Sequence, residues 1–137
     1  MRIFIDANIL VTVLNKELPL FDTAARVLSL GSKNGYTLFT SPICLAIAFY
    51  FAEKKNGSNR AKRKIEILCE NIRIASSSET SVAQVIGDPK VLDLEDGFEY
   101  YAALESKCEV IITEDVDNFH FSKIPVFKTR DYLKSIS

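Results

Sequence analysis

Histidine and cysteine are scarce in this chain of 137 residues, which has one His and three Cys. Cys44, Cys69 and Cys108 are odd in number, far apart and outside any CxxC spacing. They read as reduced thiols, so a cytoplasmic protein is expected. A structural zinc site needs several closely spaced Cys and His ligands, and these counts argue against one. A Ser-His-Asp triad would have to use His120, which lies in a late loop with no nucleophile-elbow motif. Neither GxGxxG nor a GxxxxGK loop occurs, so the common phosphate-binding loops are missing. Long apolar runs are also missing. The longest, Ile43 to Ala52, falls well short of the ~18 residues of a membrane span. Asp6 interrupts the only N-terminal run that could pass for a signal peptide. Finally, no charge of one sign dominates: 17 Lys and Arg face 18 Asp and Glu, for a net charge of −1. Any nucleic-acid binding therefore needs a local basic patch. Among catalytic groups, carboxylates remain.

Hydrophobic residues make up 47% of the chain, enough for one packed domain over residues 1–137. Arg2-Ile3-Phe4-Ile5 predicts a buried strand ended by Asp6, and Ile9 to Leu14 a short apolar helix. A helix follows over Phe21–Leu30, then a strand over Tyr36–Thr40. Ser41-Pro42 is a strong helix start, a capping hydroxyl followed by proline at the first helical position. The helix it opens, Ile43 to Lys55, is apolar nearly all round, so it is expected to be buried or covered by another subunit. Ser58 is expected to cap a basic amphipathic helix reaching Glu70, and Thr80 one reaching Ile86. In the helix Leu94–Lys107, residues Phe98, Tyr101, Ala102 and Glu105 recur at three- and four-residue intervals. Val110-Ile111-Ile112 and Pro125-Val126-Phe127 predict two late strands, and Thr129 is expected to cap a last helix. Strands alternating with helices predict an α/β fold with a mostly parallel sheet.

Three acids share one context in that pattern. Asp6 follows the first strand, Asp115 follows the Val110–Thr113 strand, and Asp96, beside Glu95 and Asp93, begins a helix. Ligands of open parallel sheets bind beyond the carboxyl ends of the strands, so these acids can converge on one spot. Each also has an ordinary explanation: Asp6 as a helix cap, Glu95 and Asp96 as acids matching a helix dipole, Asp115 and Asp117 as polar loop residues. Three oxygen donors without imidazole or thiolate suit Mg²⁺ or Mn²⁺, an ion that activates water and offsets phosphate charge.

The segments FIDANIL, SPICLA, DLEDGFEYYAAL and VIITEDVDNF resemble, in order and spacing, the PIN-domain family, and within it the small VapC-like bacterial toxin ribonucleases. The similarity extends to the closing IPVFKTRDYL. It implies a three-layer α/β/α fold around a mostly parallel sheet, Mg²⁺- or Mn²⁺-dependent hydrolysis of RNA, a homodimer and a protein antitoxin as partner. Carried over by position, Asp6, Asp96 and Asp115 match the family's catalytic, metal-binding acids, and Thr113 would orient the last loop or a water. Where the family usually has a glutamate in the SPxxLA helix, this chain has Ile47. Glu53 lies six residues on, about 240° further round the helix, and cannot substitute for it. Asn118 stands where a second acid is usual, with Asp117 adjacent. Glu95, Asp117 or water would then complete the ligand set. The alternative implied by Ile47 is a weak or silent PIN-like module that binds RNA or protein.

Lys54, Lys55, Arg60, Lys62, Arg63 and Lys64 concentrate positive charge around one helix connection. They suit either a solvated helix face or an RNA rim in which Arg60, Lys62 and Arg63 touch phosphates. Tyr50, Phe51, Phe98, Tyr100 and Tyr101 suit core or dimer contacts better than base stacking.

Overall fold

The computed structural model describes all residues from Met1 to Ser137. Strand β1 (Arg2–Ile5) is central, paired in parallel with β2 (Thr37–Thr40) on one side and β4 (Val110–Ile112) on the other. The two-residue strands β3 (Arg73–Ile74) and β5 (Val126–Phe127) complete a five-stranded, all-parallel sheet of order β3-β2-β1-β4-β5. Successive strand side chains face opposite ways, yet Ile3, Phe4 and Ile5 are all fully buried. Both faces are therefore covered, as a parallel sheet requires. The cover comes from seven helices: α1 (Ala7–Leu14), α2 (Phe21–Ser29), α3 (Pro42–Asn56), α4 (Ser58–Leu68), α5 (Glu79–Gly87), α6 (Leu94–Glu105) and α7 (Thr129–Ile136). This is the expected three-layer α/β/α architecture.

Strand order reverses beside β1, between β2 and β4, and crevices open at such points beyond the carboxyl ends of the strands. The register there is Phe4 with Ile111 and Ile5 with Ile112. One residue further, the Asp6 amide donates to the Ile112 carbonyl at 3.0 Å, which brings Asp6 level with Thr113.

Several local expectations need correction. Helix α3 starts as predicted, with the Ser41 hydroxyl accepting from the Cys44 amide and Pro42 in the first turn. It is not buried all round: Cys44, Ala48 and Ala52 form one inward stripe, while Tyr50 and Phe51 are exposed. Small residues on that stripe let α3 pack closely on its neighbours. Gly57, not Ser58, occupies the cap position of α4, and Ser78 rather than Thr80 caps α5 by accepting from the Ser81 amide. Thr129 is the first residue of α7, and its hydroxyl bonds Glu114 and Thr23 instead of capping. In α6 the buried side is Gly97, Glu99, Tyr100, Ala102 and Ala103, whereas Glu105 is exposed.

Gly97 sets how closely α6 approaches α5. A Cβ there would lie 2.7 Å from Val85 Cγ1 and 2.6 Å from Val91 Cγ1. Valine is stiff about χ1, so neither methyl swings aside freely. Gly97→Ala is expected to cost about 2 kcal/mol of crowding, offset by about 1 kcal/mol of helix propensity. The net loss lowers Tm by about 4 °C, read from a thermal melt. An unchanged or higher Tm would show that the contact yields.

Candidate metal centre

Asp6 lies at the mouth of the crevice, held by its neighbours. Its Oδ1 accepts the Ala7 amide at 2.6 Å, starting α1, so the capping role expected of a lone aspartate is real. Its Oδ2 accepts the Thr113 hydroxyl at 2.7 Å. The fully buried Thr113 Oγ1 also accepts the Asp115 amide at 3.0 Å, which ties the loop after β4 to the end of β1.

Asn8 joins the two aspartates. Its amide Nδ2 lies 3.3 Å from Asp6 Oδ2, 3.0 Å from Thr113 Oγ1 and 3.1 Å from Asp115 Oδ2, while its Oδ1 accepts the Glu114 amide. Its position two residues past a strand-ending aspartate is the one signal for it in the sequence.

From the other wall comes α6. Asp93 caps it by accepting the Glu95 and Asp96 amides, which fixes Asp96 in the first turn. Asp96 and Glu99, three residues apart, share one helix face and both line the cavity. Glu99 was also missed. It is only 1% exposed, lies beside Asp6 and accepts the Cys44 thiol at 3.0 Å.

The cavity measures about 340 Å³, and Asp6, Glu17, Glu95, Asp96, Glu99 and Asp115 all line it. No Lys, Arg or His does. Ile47 is on the wall, where the family resemblance leads one to look for an acid. Asp117 faces a neighbouring hollow of about 230 Å³, which shares Asp96 and Asn118 with the main cavity. Of the expected auxiliary acids, Glu95 therefore reaches the main cavity and Asp117 does not.

Electrostatics record the crowding. Burial, then the charges of Asp93, Asp6, Glu95 and Asp115, push the Asp96 carboxyl up to about 6. Burial also raises Glu95, aided by Asp93 and Asp6. Glu99 is held well above the ordinary range by burial, then by its contacts with Asp6 and Cys44. The three ion pairs of the chain are surface pairs elsewhere, so no protein cation offsets these acids. An all-oxygen donor set with uncompensated negative charge fits a hard divalent ion such as Mg²⁺ or Mn²⁺.

The basic residues are less uniform than the sequence suggests. Arg63 pairs with Glu66, Lys64 donates to the Leu14 carbonyl and Lys55 to the Asn15 carbonyl, and Lys54 sits over the Tyr50 ring. Arg60 and Lys62 are exposed. Phe51 lines the cavity and Lys55 lies one turn further along α3, so this corner adjoins the cavity rim.

A doubly wound parallel α/β protein with acids gathered at the strand ends is thus the class that fold and site define. The PIN domain family model matches residues 2–117, and the chain belongs to that family. It is 24% identical over 135 residues to ribonuclease VapC1 of Aquifex aeolicus, covering 96% of this chain and 92% of that one. Among solved structures it is similar to VapBC-1 of nontypeable Haemophilus influenzae, with TM-score 0.70, 22% identity, and 95% and 99% of the two chains covered. It is also similar to Mycobacterium tuberculosis VapC20, described as a Sarcin-Ricin loop cleaving toxin, with TM-score 0.66, 18% identity, and 90% and 98% covered. No helix is long and apolar enough to cross a membrane.

Proposed function

We propose that residues 1–137 form one PIN domain acting as a metal-dependent endoribonuclease, the toxin of a toxin–antitoxin pair. The observation that carries this reading is the cavity whose ionisable lining is entirely acidic. Asp6, Asp96 and Asp115 would hold Mg²⁺ or Mn²⁺, with Glu95 as an outer partner. Glu99 supplies a carboxyl on the wall that Ile47 leaves apolar. Held there, such an ion would supply an activated water and offset the charge that builds on the phosphate. Thr113 and Asn8 keep Asp6 and Asp115 at fixed separation, so that repulsion between them does not splay the strand ends. Support for an RNA substrate and an antitoxin partner comes from relatives described as a ribonuclease, a Sarcin-Ricin loop cleaving toxin and a VapBC complex. Exposed Tyr50 on α3 and Leu92 and Leu94 at the start of α6 offer apolar surface for a homodimer or antitoxin.

The purified protein is expected to cleave RNA with Mn²⁺, to lose that activity in a chelator and to regain it on adding Mn²⁺ back. Cleavage that persists through chelation overturns the reading. A protein that binds RNA yet never cleaves it would favour the silent-module alternative that Ile47 suggests.

Arg60, Lys62 and Arg63 would contact RNA phosphates beside the rim. Each phosphate contact to a single strand adds about 0.7 to the slope of log affinity against log salt. Replacing all three by alanine should lower that slope by about 2, measured by filter binding in the presence of a chelator. An unchanged slope leaves them as plain surface.

A further inference from the structure

We propose that Asp6, Cys44 and Glu99 form a second cation site beneath the open cavity, one that captures a thiophilic divalent ion such as Zn²⁺ or Cd²⁺ through the Cys44 sulfur. The assignment goes beyond the nuclease reading and does not rest on it; the two centres share Asp6 and Glu99, and Cys44 belongs to the second alone.

Two independent observations carry it. The first is placement. One ligand atom from each of the three side chains lies within 4.8 Å of the other two, and all three residues are buried. Zinc bonds of about 2.0–2.3 Å at tetrahedral angles set ligand atoms about 3.3–3.8 Å apart, so small side-chain rotations close the set. Cys44 Sγ already lies 3.0 Å from Glu99 Oε1. The second is the company Glu99 keeps. Buried polar groups normally find complementary partners. This carboxyl, 1% exposed, receives a weak thiol donor on one oxygen, and no amide, hydroxyl or cation donates to the other. Its remaining partner is another acid, Asp6, close enough to share a proton with it. Two carboxyls and a thiol are held together here only by the protons between them, and a cation can take the place of those protons.

The donor set selects the ion. Mg²⁺ prefers oxygen and leaves a thiol protonated, whereas borderline-soft Zn²⁺ and softer Cd²⁺ favour thiolate. On binding, the S–H bond of Cys44 breaks and a metal–sulfur bond forms; the thiol proton and the carboxyl proton that Glu99 shares with Asp6 leave to water, with no change in oxidation state. Cys44 sits in the first turn of α3, its amide bonded to Ser41; burial and the Asp6 charge push its thiol up, so only a bound ion makes it a thiolate. Asp6 and Glu99 also line the cavity, which gives the ion an entry path. An ion held there draws on Asp6 from below and competes with metal in the open cavity.

The test is a Cd²⁺ titration read by the ultraviolet thiolate-to-metal charge-transfer band, which does not depend on RNA cleavage. In a chain carrying Cys69→Ser and Cys108→Ser, the band should appear and saturate at about one equivalent, as one site requires. Adding Cys44→Ser should abolish it. Adding Glu99→Gln instead should keep the thiol but weaken Cd²⁺ binding by about tenfold or more. If the double-serine background does not fold, the same comparison in the natural chain must show one thiolate fewer after Cys44→Ser. No band, a band that survives Cys44→Ser, or unchanged affinity in Glu99→Gln overturns the proposal. Cleavage of RNA with Mn²⁺ but no charge-transfer band sinks this site alone; the band without cleavage sinks the nuclease reading alone.

Discussion

Asp6→Asn is expected to lower Mn²⁺-dependent RNA cleavage by at least about a hundredfold without destabilising the protein. Even outer partners of metal ligands cost about 10–100-fold when removed, and Asp6 stands at the centre of the acid cluster. The stability half of the prediction follows from the bonds Asp6 makes. An asparagine oxygen can still accept the Ala7 amide and start α1. The hydroxyl of Thr113 can turn to accept from the new amide group in place of Asn8, which keeps its bond to Asp115. Meanwhile one of the charges that raise Asp96, Glu95, Glu99 and Cys44 disappears. Single-turnover cleavage rates and thermal melts, run on the same preparations, separate the two effects. Equal cleavage by the variant removes Asp6 from the centre; a large drop in Tm would mean that it is chiefly a structural cap.

A second large effect is the pH dependence of metal binding. Asp96 titrates at about 6. Below that pH a proton occupies the carboxyl and competes with the ion, so Mn²⁺ affinity should fall by about tenfold per pH unit and level off above it. Stability of the metal-free protein runs the opposite way. A folded-state value raised above the ordinary 3.8 means that the folded chain binds the extra proton. Its contribution is fully present below the unfolded value and is lost as pH climbs through about 6. Mn²⁺ should therefore stabilise most above pH 6, where the acids repel one another unrelieved. Calorimetric Mn²⁺ titrations between pH 5 and pH 8, with Asp96→Asn for comparison, check this. Affinity flat across the range, or a slope kept by the variant, would take Asp96 out of the centre.

Much of the architecture was legible because its signals are local. Ile3-Phe4-Ile5 and Val110-Ile111-Ile112 are short β-branched or aromatic runs, and both are strands buried on each face. Each is followed by polar residues at the point where a parallel sheet opens, and this guided the placement of Asp6 and Asp115. Element ends were harder. Serine and threonine cluster before α5 and α7, and which hydroxyl caps depends on contacts distant in sequence, such as Glu105 with Ser81 and Glu114 with Thr129.

Glu99 was hidden for a related reason. The interval Phe98, Tyr101, Ala102, Glu105 gives α6 a plausible apolar face, but the packed face lies one residue away, on Gly97, Tyr100 and Ala103. Rotating the helix by that one position turns an apparent surface glutamate into a buried one. Tertiary packing decides that rotation, because aromatic residues occupy both faces. Cys44 stands in the apolar run from Ile43 to Ala52, and nothing in the sequence sets it against Glu99, 55 positions away.

The bond between Thr113 and Asp6 spans 107 positions of chain. During synthesis the first aspartate emerges from the ribosome almost at once, but its counterparts on α6 and beyond β4 come last. A nascent or truncated polypeptide therefore carries every early segment of the fold and none of the assembled chemistry. The proposed nuclease activity would therefore arise only when translation is nearly over, sparing the messenger and ribosome that produce the chain.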